Sequence, residues 1–148
     1  MAMVIRVGLS GHIAVARNLQ AGGVLTERLM KEVIVDSSFA IMNDARTRCP
    51  VRKLGKVIGG LLRSSIDIEF YNNGLTGNIG TNVYYAPFVE FGTGSRGALS
   101  VTRTPPPPYA HSGWPRGQAA QPYLYPAYDA EKDRFLRNLR NAIKKGFT

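Results

Sequence analysis

One cysteine, two histidines and one tryptophan in 148 residues leave little material for several kinds of chemistry. Cys49 alone forms no intrachain disulfide, and one cysteine with two histidines falls short of the four Cys/His ligands of a structural zinc cage. Standing at the end of a helical period, Cys49 reads as a small buried residue rather than a nucleophile. The apolar runs are only a few residues long, against the roughly 20 that a membrane-spanning helix needs. Arg6 and His12 interrupt the apolar residues near the start, so the secretory pattern is missing and the expectation is a soluble protein made in the cytoplasm. Neither His12 nor His111 stands in a nucleophile or metal pattern, and no Gly-x-Ser-x-Gly elbow occurs. Gly55-Lys56-Val57 is not a phosphate loop: Pro50 and Val57 stand where the first glycine and the Ser or Thr would have to be. The chain therefore reads as a non-enzyme, with no cofactor, no metal site and no catalytic residue.

Acids are also scarce. Ten Asp and Glu against 19 Lys and Arg give a net charge of +9, which implies attraction to polyanions or to acidic protein surfaces without choosing between them. A chain of this length fits one domain, 1–148, with a real core.

Met3-Val4-Ile5-Arg6-Val7 is short and rich in β-branched residues, and reads as a strand that breaks at Gly8 to Gly11. Residues 13–20 suit a short helix, interrupted by Gly22-Gly23. Residues 24–48 hold the longest helical period: Leu25, Leu29, Val33, Ala40 or Ile41, and Ala45 share a face, and Pro50 ends the run. The basic, glycine-interrupted stretch 51–60 reads as a mobile connection. Ile66, Ile68 and Phe70 alternate with polar residues, Asn72-Asn73-Gly74 tolerates positive φ, and Leu75, Gly77, Ile79, Thr81 and Val83 alternate back, so 65–83 reads as a β-hairpin. Residues 84–91 form a third element, a strand or a short helical turn begun near Pro87.

Residues 92–121 show little period and carry four prolines at 105–108, which favour a stiff polyproline rod. Compact domains seldom spend that many residues on a loop without use. The stretch reads as a projecting arm whose aromatics, Tyr109 and Trp114, are anchors for a neighbouring subunit. Residues 122–126 are expected to be extended. From Ala127 the helical period returns, with Phe135, Leu136, Leu139, Ala142 and Ile143 as its apolar stripe and Arg134, Arg137, Arg140 and Lys144 as a basic one. Five cations from Arg134 to Lys145 without one acid exceed what solubility asks, so this stripe is expected to face passing DNA or an acidic partner. The fold class is α+β: a small antiparallel sheet packed by a long helix in the N-terminal half and by a C-terminal helix, with the Gly/Pro-rich loop projecting.

Three blocks in order, Gly60-Leu61-Leu62-Arg63-Ser64-Ser65-Ile66, Tyr85-Ala86-Pro87-Phe88-Val89-Glu90-Phe91-Gly92-Thr93 and Gln121-Pro122-Tyr123-Leu124-Tyr125-Pro126-Ala127, resemble the small neck or tail-completion proteins of long-tailed bacteriophages, the family that includes the minor tail protein Z of phage lambda. Gly59 replaces the usual Thr of the first block, and Tyr125 stands where Arg is common in the last. The resemblance implies a structural virion protein, a ring of six copies at the head-to-tail junction or the upper end of the tail, through which DNA passes. It further implies neighbouring neck, tail-terminator or tail-tube proteins as partners, and no membrane. On that reading Glu90, Tyr109, Trp114, Tyr123 and Tyr125 meet other subunits, Glu90 making a fixed polar contact at the foot of the loop, and Arg63 anchors the start of the hairpin through charge-assisted bonds. The composition leaves a second reading, a free basic nucleic-acid-binding module using these cations with aromatic stacking groups.

Overall fold

The computed structural model describes residues 5–10, 13–51, 53–54, 57–58, 60–100, 103, 105 and 116–147. It is a two-layer α+β fold. Strand β1 (Ile5–Ser10) leads into helix α1 (Ile13–Arg48); two short strands, β2 (Lys53–Leu54) and β3 (Val57–Ile58), precede the helical turn α2 (Leu61–Ser64). The hairpin β4 (Asp67–Tyr71) and β5 (Thr76–Thr81) follows, then α3 (Ala86–Phe91), α4 (Gly94–Ser100) and the terminal helix α5 (Leu124–Gly146).

The hairpin turns where three residues accept positive φ: Asn72, Asn73 and Gly74 at 51°, 56° and 84°. β5 is the central strand, antiparallel to β1 on one side and to β4 on the other. Its buried positions alternate at Gly77, Ile79 and Thr81, and Ile79 lies in one row with Val7 of β1 and Ile68 of β4. That row packs on the helices. A side chain at Gly77 would collide with Ser38 Oγ of α1, so the glycine sets how closely sheet and helix approach.

α1 and α5 run antiparallel: Thr26 sits against Gly146, and Ser37 Oγ donates to Glu131 Oε1 at 3.0 Å. The buried line of α1 is Met30, Ile34, Ile41, Met42 and Ala45, continued by Cys49 just past its end and joined by the small polar residues Thr26, Ser37 and Ser38. Of the expected stripe Ile41 and Ala45 lie on this line, whereas Leu25 is 55% exposed and Leu29, Val33 and Ala40 are only partly covered. The reason is tertiary. α1 is flanked by α5 on one side and the sheet on the other, and small hydroxyl residues at both contacts let the neighbours come close. Cys49 is buried at the helix end as expected, and burial pushes its thiol up to about 11.

Other expectations change in detail. β1 passes Gly8 and runs to Ser10, into the expected break, because pairing with β5 supplies the bonds that a lone glycine-containing strand lacks. The break expected at Gly22-Gly23 is present as a kink: α1 is two helical stretches joined at Gly23, whose φ of 76° and ψ of 178° are not helical. The connection 51–60 contains the paired strands β2 and β3. The third element after the hairpin is a helix, α3, with Pro87 in its first turn where a missing N–H costs nothing. On α5, Phe135, Leu139 and Ala142 are buried but Leu136 is 37% exposed and lies off the core stripe.

Part of the stretch expected as an arm, 92–121, is folded onto the body. Residues 94–100 form α4, and the returning chain at 116–121 docks against α3 and α4. Thr93 N–H donates to Gln118 O and Gln118 N–H to Thr93 Oγ1, both at 2.9 Å, Arg96 N–H donates to Arg116 O at 3.2 Å and Gln121 N–H to Val89 O at 2.8 Å. Gly92 permits this return: its φ is 71°, and a Cβ there would stand 2.6 Å from Gln118 O. Tyr109, Trp114 and prolines 106–108 lie outside the described residues.

Candidate functional site

Helix α5 begins three residues earlier than its period suggested, at Leu124, with Tyr123 as N-cap. No Ser, Thr, Asp or Asn stands there to cap it. The first four N–H groups of a helix have no partner within it, and here every one of the four is accounted for. Glu90 Oε2 accepts from Tyr123 N–H at 2.8 Å and from Leu124 N–H at 3.0 Å, and Glu90 Oε1 accepts from Tyr125 N–H at 3.0 Å. The fourth position is Pro126, which has no N–H to satisfy. A side chain 33 residues upstream thus caps the helix, and its negative charge lies at the positive end of the helix dipole.

Glu90 is 1% exposed. Burial pushes its carboxyl above the ordinary carboxylate value, against the opposing pull of the backbone bonds from Leu124, Tyr123 and Tyr125 and the more distant charge of Arg103. Tyr123 is fully buried as well, its hydroxyl without a hydrogen-bond partner among the described residues, and burial raises the phenol further from ionisation. Both residues were expected at a subunit interface. In the single chain they are interior instead: Glu90 holds α3 to α5, and Tyr123 fills the core where that junction closes. Tyr125 is partly exposed and tilts against Phe91, with ring centroids 5.7 Å apart.

Arg103 clamps this junction from outside. It makes a forked pair with Asp129, at 2.7 and 2.8 Å, and its guanidinium lies 4.6 Å from the centre of the Tyr125 ring. A small cleft of about 220 Å³ opens among Glu90, Phe91, Arg103, Pro122, Tyr125, Pro126 and Asp129. Nothing in it pairs a nucleophile with a base. No cluster of His, Cys, Asp and Glu able to hold a metal occurs among the described residues, and no helix there is long and apolar enough to cross a membrane.

The hairpin anchor expected at Arg63 belongs to another arginine. Arg63 is exposed and makes no hydrogen bond or ion pair with a described residue, whereas Arg46 Nη2 of α1 donates to Ile66 O at 2.6 Å. Ser65 Oγ and Thr81 Oγ1, 2.6 Å apart, close the same end of the hairpin. Arg46 lies 20 residues upstream of its acceptor, so only the fold identifies it.

Arg134, Arg137, Arg140 and Lys144 all lie exposed on α5, beside the apolar stripe and apart from it. Arg134 approaches Glu131 at 3.7 Å; Arg137 and Arg140 pair with no described residue. The structure thus brings Glu90, Tyr123 and Tyr125 together with Arg103, and sets the basic stripe farther along the same helix. Sequence reasoning missed Arg103 and the capping role of Glu90. One signal was available: Glu90 is the lone acid between Glu69 and Asp129, upstream of a helix with no local cap.

A search of the curated proteins and a search of the solved structures each returned no match. Residues 13–92 match the family HK97-gp10_like, described as "Bacteriophage HK97-gp10, putative tail-component". The matched span runs from α1 through α3 and includes the hairpin and Glu90. With more than half of its length inside that match, the chain belongs to the HK97-gp10-like family of phage tail components.

Proposed function

We propose that this protein is a non-enzymatic structural component of the virion that assembles into a ring of copies, six in number, at the head-to-tail junction or the upper end of the tail. DNA passes through that ring. The likeness of the three sequence blocks to neck and tail-completion proteins, minor tail protein Z among them, belongs to this reading, as do neighbouring neck or tail proteins as partners.

The observation that carries it is the basic stripe of α5. Arg137 and Arg140 are exposed, unpaired among the described residues, and fixed on a helix whose N-terminus is fully capped. Their field reaches about 8 Å at physiological salt, which suits a channel wall or an acidic neighbouring ring and adds little to a surface facing bulk water. Tyr109 and Trp114, in the part of the loop outside the described residues, are the proposed aromatic contacts between copies, with Tyr125 at the foot of that loop.

The test is Arg137→Glu with Arg140→Glu in the full chain. The double variant is expected to keep the wild-type unfolding midpoint, since neither residue is in the core. It is also expected to lower incorporation into particles and to weaken salt-sensitive binding to a DNA duplex or to the neighbouring ring. Normal incorporation and unchanged binding would refute the reading. A wild-type chain that stays monomeric while binding DNA with a steep salt dependence would establish the nucleic-acid module instead.

A further inference from the structure

Among the described residues the sheet ends at β1 on one side and at β4 on the other, so each copy has two unlike free edges. β4 spends its ladder bonds on β5 at alternate residues. Between them, the Ile68 N–H is turned away from β5 and is taken by its own neighbour, Asp67 Oδ1, at 2.8 Å. An edge strand presents a row of such groups, and this one is flanked by partly exposed Phe70 and Tyr71.

The charges on the two edges differ in sign. β4 has Asp67 and Glu69; the charged residue of β1 is Arg6, opposite Gly80 and therefore in the same row as Asp67. Like charges set directly across a strand pair repel and unlike charges attract. Two β4 edges would bring their acids together in a symmetric dimer, and two β1 edges would bring arginine to arginine. Only β4 against β1 sets acid against base, and that contact is heterologous, the kind that closes into rings.

We propose that copies of this chain join by strand addition, the β4 edge of one copy receiving β1 of the next. The proposal rests on the ring reading above and names the contact that builds the ring. Since β1 and β4 each run antiparallel to β5, they run parallel to each other, and the added strand is parallel to β4, with the helices of all copies kept on one face. Asp67 guards the edge in the free chain. On addition, a carbonyl of β1 takes the Ile68 N–H, and Arg6 takes the released carboxylate.

Cysteine cross-linking tests this directly. Arg6→Cys is combined with Asp67→Cys in one full-length variant and with Glu69→Cys in another. Within a copy these positions are separated by β5, roughly 9.6 Å for two strand spacings, beyond the about 7 Å that a disulfide spans. Any bridge between them therefore joins two copies, and the buried Cys49 does not compete. Mild oxidation of the concentrated protein is expected to give, in at least one variant, a ladder of chain multiples that reductant collapses. Arg6→Glu should abolish the assembly, and Arg6→Glu with Asp67→Lys should restore it. Rings visible by electron microscopy without a ladder in either variant would overturn strand addition and leave the ring reading standing. A chain that remains monomeric at every concentration, with no ladder, would overturn both.

Discussion

Replacing Glu90 by alanine removes the acceptor that three backbone N–H groups have among the described residues. Those of Tyr123 and Leu124 belong to residues with no exposed surface, so water does not easily replace the carboxylate; the N–H of Tyr125 lies beside the open cleft and can be hydrated. Two fully orphaned donors at about 1–3 kcal/mol each give a loss of about 3–4 kcal/mol once the relief of burying one charge fewer is counted. That exceeds the roughly 1 kcal/mol typical of an exposed N-cap. In a chain of this size it lowers the melting temperature by about 10 °C. Urea unfolding followed by circular dichroism measures it as a lower midpoint with an unchanged slope. Glu90→Gln separates charge from bonding. Because the folded carboxyl titrates above its unfolded value, the folded chain binds the extra proton in the window between the two, and the contribution of Glu90 is largest below the unfolded value and declines as pH rises through the folded one. The glutamine, which does not titrate, should therefore gain on the wild type from pH 4 upward and level off. It should stay within about 1 kcal/mol of wild type at neutral pH, keeping two of the three bonds. An alanine variant as stable as wild type would refute the capping argument.

Arg46→Ala should cost about 1.5–2 kcal/mol by freeing Ile66 O, and Arg63→Ala less than about 0.5 kcal/mol; parallel urea melts compare them, and the reverse order would restore Arg63 as the anchor. Gly92→Ala combines a left-handed backbone with a Cβ 2.6 Å from Gln118 O and 2.7 Å from Ala120 N, and should cost roughly 3 kcal/mol or more, with early proteolysis near residue 118. The Cys49 thiol, pushed by burial from 9.0 to about 11, should react with a disulfide reagent at pH 8 about 100-fold more slowly than a free thiol, and at full speed in denaturant.

The hairpin was legible because its signal is local. Two-residue alternation meets a turn made of residues that tolerate positive φ, and no distant group is needed to specify either. The terminal helix and its basic stripe were legible for the same reason. Glu90 was legible as a polar contact at the foot of the loop but not as a cap, since its partners are backbone N–H groups with no sequence identity, 33 to 35 residues away. α4 was invisible because Gly94 and Gly97 argue against a helix; both are buried, and the stretch is held by Thr93, Gln118 and Arg116 rather than by propensity. The passage of β1 through Gly8 likewise depends on β5.

Because Thr93 and Gln118 are bonded to each other, the chain leaves the body and returns to it at one place, and Arg103 meets the body again at Asp129 and Tyr125. Closing a longer or shorter excursion there changes the folding free energy by only about 0.6 kcal/mol per doubling of length. Neither the register of α5 nor the Glu90 cap depends on how long that excursion is. The family match itself stops at Gly92, where the excursion leaves the body. A protein built this way can take a segment of different length and chemistry at that place, while the two helices and the sheet stay where they are.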